Sequence, residues 1–114
     1  MMDQYLREEV VQLHAQLCGG LADTNRILII YALAEHGMNV NVLAELLGLS
    51  QTTTSRHLKV LRECGIVRAT RDGQAVFYSL NDHRVVEALD LLRAVMTEQL
   101  GTRMSLVLNQ ATKP

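Results

Sequence analysis

The chain has 114 residues, of which 48% are hydrophobic and 20% charged, and this composition suits one packed domain and excludes wholesale disorder. The formal net charge of −1 hides an uneven distribution: residues 51–84 carry six basic and three acidic side chains, a net +3, whereas the rest of the chain carries five and nine, a net −4. A basic region of this kind is compatible with phosphate binding, although charge alone does not distinguish it from a solvated helix face.

The first half of the sequence predicts helices that are separated by glycines. Apolar residues recur at helical spacing over Leu6–Leu17, and Gly19-Gly20 is expected to stop this first helix. Asp23 has the residue type of an N-cap for a second helix, which is expected to end at Gly37. The residues of the second helix that are expected to face inward are Ile27, Ile30, Tyr31 and Ala34, and Leu28 and Leu33 are expected to broaden this stripe.

A helix-turn-helix outline follows in the sequence. A short third helix is expected near residues 41–47, with a tight turn at Gly48-Leu49-Ser50. Ser50 can cap a fourth helix by accepting a hydrogen bond from the backbone at Thr52 or Thr53. Two helices joined by a short turn that contains glycine form the outline of a helix-turn-helix. The residues that the third helix is expected to bury are Leu43, Leu46 and Leu47.

The fourth helix, in SQTTTSRHLKVLRECG, combines an apolar stripe at Leu58 and Leu61 with a polar and cationic face. Such a face suits a helix that lies in the major groove of DNA, although an ordinary amphipathic surface helix has the same pattern. Arg56 can pair with guanine or hold a phosphate, Lys59 can contact the DNA backbone, and His57 either helps to position a phosphate or packs. The DNA contacts predicted on this helix are Gln51, Thr52, Thr53, Ser55, Arg56, His57 and Lys59.

A β-hairpin is predicted directly after the fourth helix. Ile66–Arg71 and Gln74–Leu80 have the composition of strands, and Asp72-Gly73 is a two-residue turn signal. A hairpin in this position is a wing, and Arg71 and Gln74 flank its tip, where a cation can reach the minor groove. We therefore predict DNA contacts at these two residues, and a mostly α fold with a β-hairpin wing, which is a winged helix-turn-helix.

The last predicted element is a long C-terminal helix, which Asn81 or Asp82 can cap. Its apolar stripe is either core within the domain or an interface between copies. Because the small winged domain already has a core, the first and last helices are surplus, and we expect them to form a homodimer. The predicted interface residues are Leu6, Val10, Leu13, Val85, Leu89, Leu92 and Met96.

The sequence thus predicts one domain over residues 1–114, with dimerisation helices at 1–19 and 82–110 and a DNA-binding part at 41–80. It has no grouping of nucleophile, base and orienting residue and no glycine-rich phosphate loop, so we expect neither an enzyme nor a cofactor. No apolar run reaches the length of a membrane span, and MMDQYLREEV lacks a signal-peptide pattern, so we expect a cytoplasmic protein with no membrane contact.

The stretch LAELLGLSQTTTSRHLKVLRECGIVRATRDGQAVFYSL resembles the winged-helix core of the ArsR/SmtB repressors, and LADTNRILIIYAL resembles the segment that leads into that core. The resemblance covers residues 15–100 as one pattern in the correct order. It implies a homodimeric repressor that binds double-stranded DNA at an imperfect palindromic operator. It also implies that the repressor leaves the operator when an inducer binds or reacts.

The metal sites of the better-known members of this family are incomplete here. Arsenic-sensing relatives carry a Cys-x-Cys motif where this chain has Asn39 and Asn41, and an amide is a poor ligand for a soft metal. Zinc-sensing relatives use four positions on their C-terminal helices, of which Asp82 and Glu98 match two, and the two histidines are replaced. The resemblance therefore predicts no metal site.

The two cysteines, Cys18 and Cys64, do not make a disulfide framework, and three interpretations of them stay open. They are inert buried residues, or thiols that sense an oxidant or reactive sulfur, or, for Cys64 with other ligands, part of a soft-metal site. Both are expected near helix C-termini, where the dipole opposes a thiolate. The predicted function is a repressor that an inducer releases from its operator, and thiol chemistry at Cys18 and Cys64 is one candidate for that release. The alternatives are a soft-metal-responsive repressor that uses Cys64 with other ligands, and a dimeric protein-interaction module without an inducer site.

Overall fold

The computed structural model describes the backbone of residues 2–111 and the side chains of residues 2–101. The ends of the predicted domain, Met1 and residues 112–114, lie outside the described residues. The chain divides into two compact units, residues 1–83 and residues 84–114. Each unit has its own secondary structure, and each is described in turn.

The first unit begins with helix α1, Gln4–Leu13, which Asp3 caps by accepting the Leu6 N–H at 2.7 Å. A π-helical turn, His14–Cys18, and helix α2, Gly19–Leu21, continue it. The prediction that Gly19-Gly20 stops the helix was therefore wrong. Gly20 is buried, and a Cβ there would lie 2.8 Å from Cys64 Sγ, so a close approach to another helix explains this glycine.

Helix α3, Thr24–Glu35, starts at the predicted cap, because the Asp23 carboxylate accepts the backbone N–H groups of Asn25 and Arg26. The helix ends at Glu35, and His36 is its C-cap, one residue before the glycine that was predicted to end it. Its buried side chains differ in part from those predicted, since Ile27, Tyr31 and Ala34 are only half-buried and Leu28 is exposed, whereas Ile30 and Leu33 are buried. The buried side chains of α3 are Ile29, Ile30 and Leu33.

Helix α4, Val40–Leu47, begins one residue earlier than predicted, because Asn39 caps it by accepting the Val42 N–H at 2.9 Å. Leu43 is buried as predicted, Leu47 is half-buried, and the prediction that Leu46 is buried was wrong, since this side chain is exposed. Gly48 ends the helix in the left-handed conformation with φ +68°, which glycine adopts at little cost.

Helix α5, Gln51–Glu63, follows a turn of the predicted length, and Ser50 caps it by accepting the Thr53 N–H at 3.0 Å. Leu58 and Leu61 are fully buried, as their spacing predicted. Helices α4 and α5 form a helix-turn-helix, and their apolar sides join the core of the first unit. That core also contains Ile29, Ile30, Leu33, Met38, Leu43, Ile66, Val67 and Leu80.

The hairpin consists of strands β1, Val67–Asp72, and β2, Ala75–Leu80, which pair in antiparallel register. Asp72 pairs with Ala75, so the two-residue loop is Gly73-Gln74, one residue later than predicted. Gly73 has φ +63°, as the first central position of such a loop requires. Met38 adds a further bridge, because it exchanges backbone hydrogen bonds of 3.0 and 2.8 Å with Tyr78.

The second unit is helix α6, Arg84–Ala111. Asn81, one of its two predicted caps, belongs instead to the base of the hairpin, where its side-chain amide donates to the carbonyls of Gly65 at 2.8 Å and Val67 at 3.3 Å. Among the described residues, no single helix is both long enough and apolar enough to cross a membrane. One pair of consecutive helical segments meets both limits when taken together, but the angle between the two segments, Gln4–Leu21 and Thr24–Glu35, is 85°.

The protein is therefore mostly helical with one antiparallel hairpin after the second helix of a helix-turn-helix. This is the winged helix-turn-helix that the sequence predicted. The hairpin is the wing, and helix α5 has the position of a recognition helix.

Candidate nucleic-acid interface

The outward face of α5 is polar and cationic because the opposite face is anchored in the core by Leu58 and Leu61. Thr53 is half-buried, and its hydroxyl accepts hydrogen bonds from Ser50 Oγ at 2.9 Å and from the Arg56 guanidinium at 3.4 Å. Arg56 is thereby held along the first turns of the helix. The exposed side chains on this face are Gln51, Thr52, Ser55, Arg56 and Lys59.

The cations of this surface are free to meet a polyanion. In the part of the chain that the structure describes, no carboxylate forms an ion pair with Arg56, Lys59 or Arg71. The two predicted wing residues, Arg71 and Gln74, are exposed, with Arg71 near the end of β1 and Gln74 in the loop. Helix α5 and the wing tip thus present unpaired positive charge on two separate elements of the first unit.

Thr54 is a residue of this helix that the sequence prediction missed. Its side chain is fully buried, and its hydroxyl donates to the Ser50 carbonyl at 2.8 Å. Thr54 precedes Leu58 and Leu61 by four and seven residues, so helical spacing alone could have placed it on the inward face. It fixes the first turn of α5, on which the polar face is built.

His57 lies on the side of α5 that packs, and only 12% of its side chain is exposed. Its Nδ1 is 3.4 Å from the Arg26 guanidinium, and its Nε2 is 3.9 Å from the Asp23 carboxylate. The sequence left two roles open for His57, positioning a phosphate or packing, and this placement fits packing. The sequence prediction did not include Arg26, because no local pattern indicates its contact with a residue 31 positions later.

Asp23 combines two roles at this point, as the cap of α3 and as a neighbour of His57. Desolvation raises the pKa of its carboxyl, but hydrogen bonds from the backbone N–H groups of Arg26 and Asn25, together with electrostatic attraction to the His57 ring and the Arg26 guanidinium, lower it by more. The net pKa is below the ordinary value for an aspartate, so the carboxylate is ionised at neutral pH.

The two cysteines are free thiols in different surroundings. Cys18 is exposed, so the interpretation of both cysteines as buried residues was wrong for this one. Its expected place at the end of a helix was also wrong, because α2 continues to Leu21. Cys64 is half-buried, caps the C-terminus of α5 as expected, and packs against Gly20.

The predicted interface residues are distributed over both units. On α1, Leu6, Val10 and Leu13 are all exposed. On α6, Leu92 and Met96 are exposed and Val85 is half-buried, whereas Leu89 is only 5% exposed within a single chain. Leu89 therefore differs from the rest of the set, because its side chain is already covered.

Metal ligands do not gather in the described residues: no three His, Cys, Asp or Glu side chains there come together as a metal site would require. Asn39, at one of the positions where arsenic sensors have cysteine, is a helix cap. Asn41, at the other, is exposed on α4.

Comparison with known proteins gives matches over most of the chain. The family model described as "Bacterial regulatory protein, arsR family" matches residues 23–69. The transcriptional regulator KmtR of Mycobacterium tuberculosis is 38% identical over 80 residues, which are 70% of this chain and 62% of that relative. The nodulation protein NolR of Rhizobium meliloti is 34% identical over 86 residues, which are 75% of this chain and 70% of that relative.

A solved structure has the same fold as this chain. The solution structure of a homodimeric winged helix-turn-helix DNA-binding domain from Mycobacterium bovis superposes with a TM-score of 0.74 and 27% identity, and the match covers 87% of this chain and 91% of that domain. The likeness extends beyond the 47 residues of the family match, since it covers 87% of this chain.

Proposed function

The chain belongs to the ArsR family of bacterial regulatory proteins, and on that premise we propose that it is a DNA-binding transcriptional repressor that acts as a homodimer. The observation that carries this proposal is the outward face of α5, where Arg56 and Lys59 are exposed and have no carboxylate partner among the described residues. A repressor of this kind acts where the chromosome is, so the proposal includes a cytoplasmic location.

In the proposed complex, α5 lies in the major groove. Arg56 pairs with a base edge or a phosphate, the short hydroxyl and amide side chains of the first turns contact bases or phosphates, and Lys59 contacts the backbone. Arg71 and Gln74 at the wing tip meet the adjacent minor groove. His57 contributes by packing, because its ring is turned toward α3.

The homodimer determines the form of the operator. Two copies related by a two-fold axis place their recognition helices about 34 Å apart, in successive major grooves of one face of the DNA. An operator of imperfect palindromic sequence matches that symmetry. The exposed apolar residues of α1 and α6 supply the proposed contact between copies.

The contribution of α5 is tested by DNA affinity. Arg56→Ala is expected to weaken binding to the promoter DNA upstream of its own gene by about 1–3 kcal/mol and to relax the preference at one base pair. Lys59→Ala is expected to weaken binding evenly across sequences and to reduce the slope of log affinity against log salt by about one unit. Fluorescence anisotropy on labelled duplexes at several salt concentrations measures both effects.

Arg7→Ala is the matched control, because Arg7 is exposed on α1 and its loss changes the net charge by the same amount. Affinity that falls equally in all three variants would indicate a general charge effect and not a recognition helix. Unchanged affinity in both α5 variants would contradict the proposed function.

For the inducer we propose thiol chemistry at Cys18 and Cys64. A peroxide can take two electrons from the two thiols, which become a disulfide while the peroxide is reduced to water. Cys18 is exposed at the end of the π-helical turn, whereas the residue that packs against Cys64 is Gly20, two residues further along in α2. A bond within one chain therefore requires α2 to move relative to α5, and this movement would release the DNA.

The thiol proposal is tested by treating the protein with hydrogen peroxide or an organic persulfide and measuring DNA affinity and intact mass. Cys18→Ser and Cys64→Ser are expected to keep DNA binding and to lose the response. Full affinity of the treated wild type, with both thiols still open to alkylation, would eliminate thiol sensing.

A further inference from the structure

We propose that Arg26 is a positioning residue for DNA binding: its guanidinium fixes the orientation of helix α5 relative to the N-terminal helical segment. The proposal rests on the DNA-binding function proposed above. It is carried by a set of contacts that Arg26 makes with two other elements of the first unit, α2 and α5, which lie on either side of it in the chain.

The first contacts of Arg26 are with α2. Its Nε–H donates to the Gly20 carbonyl at 2.7 Å, and an Nη–H donates to the Gly19 carbonyl at 3.3 Å. Both carbonyls belong to the last turn of the N-terminal helical segment, where a cation is favourable. The Gly19 carbonyl also accepts the Ala22 N–H at 3.4 Å. Arg26 therefore fixes the end of that segment to the first turn of α3.

The second contact of Arg26 is with α5. The other Nη lies 3.4 Å from His57 Nδ1. A guanidinium has donors only, so Nδ1 accepts this hydrogen bond and the ring proton is on Nε2. Nε2 faces the Asp23 carboxylate at 3.9 Å. The His57 ring is thus held between two residues at the start of α3, and α5 cannot rotate about its axis without breaking this arrangement.

A second, independent contact joins the same two elements. Gly20 packs so closely on Cys64, at the end of α5, that a Cβ on Gly20 would be 2.8 Å from the sulfur. Helix α2 is therefore linked to two places on α5. Arg26 and His57 link it to the middle of α5, and Gly20 and Cys64 link it to the C-terminal end of α5. These contacts add to the burial of Leu58 and Leu61, which anchors α5 in the core, and they join α5 to the N-terminal helical segment.

The consequence concerns the DNA contacts. His57 is the next residue after Arg56 and is two residues before Lys59. A rotation of α5 that His57 no longer opposes moves both cations relative to the groove. Helix α2 continues the helical segment that begins with α1, the proposed dimerisation helix, so Arg26 also makes DNA affinity depend on how that helix is held. Such coupling between sites has a typical size of five- to about 150-fold in affinity.

The test compares variants that keep or lose one partner of the contact. Arg26→Lys keeps the charge but cannot bridge three acceptors, and His57→Leu removes the acceptor while it keeps an apolar body. Each is expected to weaken binding to the promoter duplex about tenfold, and the double variant no more than either alone. His57→Gln, whose side-chain oxygen can accept from Arg26, is expected to keep affinity close to that of the wild type.

Circular dichroism and sedimentation are measured on the same samples, so that affinity is compared only between folded dimers. Wild-type affinity in folded Arg26→Lys and His57→Leu, or losses that add in the double variant, would overturn the proposal. If Arg26→Lys does not fold, the comparison of His57→Leu with His57→Gln still tests the proposal. Equal DNA affinity in these two variants would overturn the positioning role of Arg26. If Arg56→Ala weakens DNA binding and the changes at Arg26 and His57 do not, the proposed function stands and only the role of Arg26 is overturned.

Discussion

Thr54 is the one fully buried polar side chain among the described residues, and its hydroxyl donates to the Ser50 carbonyl at 2.8 Å. That carbonyl also accepts the Thr54 backbone N–H, so Thr54→Val leaves no buried group without a partner. We expect the variant to lose about 1 kcal/mol of unfolding free energy, the net value of one hydrogen bond. Thr52→Val, exposed on the same helix, is the control, and equal losses in urea unfolding would contradict a special role for Thr54.

Thr54 and His57 also show how far single residues could be predicted. The inward position of Thr54 follows from its spacing to Leu58 and Leu61, and only its residue type concealed it. The inward position of His57 depends on Arg26 and on the pairing of two helices that are far apart in sequence. Helical periodicity describes one helix at a time, so it could not predict which polar residue meets a partner.

At the scale of elements, local signals predicted helix starts better than helix ends. Asp23 and Ser50 cap α3 and α5 as predicted, because a cap is a contact within four residues. Gly19-Gly20 predicted a helix end that the structure does not have. Gly20 is a glycine because of its contact with Cys64, and a contact between elements leaves no local pattern.

The two adjacent glycines of α2 should therefore respond in opposite directions to the same change. Gly19→Ala is expected to stabilise the protein by up to about 1 kcal/mol, because its Cβ would meet only the His14 carbonyl at 3.8 Å and alanine favours a helix. Gly20→Ala is expected to destabilise it by about 1–3 kcal/mol, because its Cβ would be 2.8 Å from Cys64 Sγ. Thermal or urea unfolding gives the sign of each change.

A double variant identifies the cause of the Gly20 effect. Cys64→Ala removes the sulfur that the new Cβ meets, so Gly20→Ala should cost less in that background than in the wild type. The same cost in both backgrounds would assign the effect to the contacts that Cys64→Ala leaves in place, Ile66 Cδ1 at 3.3 Å and the Cβ of residue 64 at 3.4 Å, and not to the sulfur.

At the scale of the whole molecule, the fold was predictable because its helices are amphipathic, its turns contain glycine and its hairpin has a strong turn signal. The apolar stripe of the C-terminal helix was harder to interpret, since core and interface have the same sequence pattern. The structure divides that stripe: Leu89 is 5% exposed, whereas Leu92 and Met96 are 64% and 54% exposed. The exposure of each side chain was the information that the sequence lacked.

That division predicts two different outcomes for the same substitution on α6. Met96→Glu would place an unpaired charge in the proposed contact between copies, so we expect a folded monomer with greatly weakened DNA binding. Leu89→Glu would place a charge on a side chain that is only 5% exposed, so we expect loss of the folded state itself. Thr97→Glu, exposed on the same helix, is the control. Sedimentation and circular dichroism distinguish the outcomes, and a Met96→Glu variant that stays dimeric would remove this stripe from the interface.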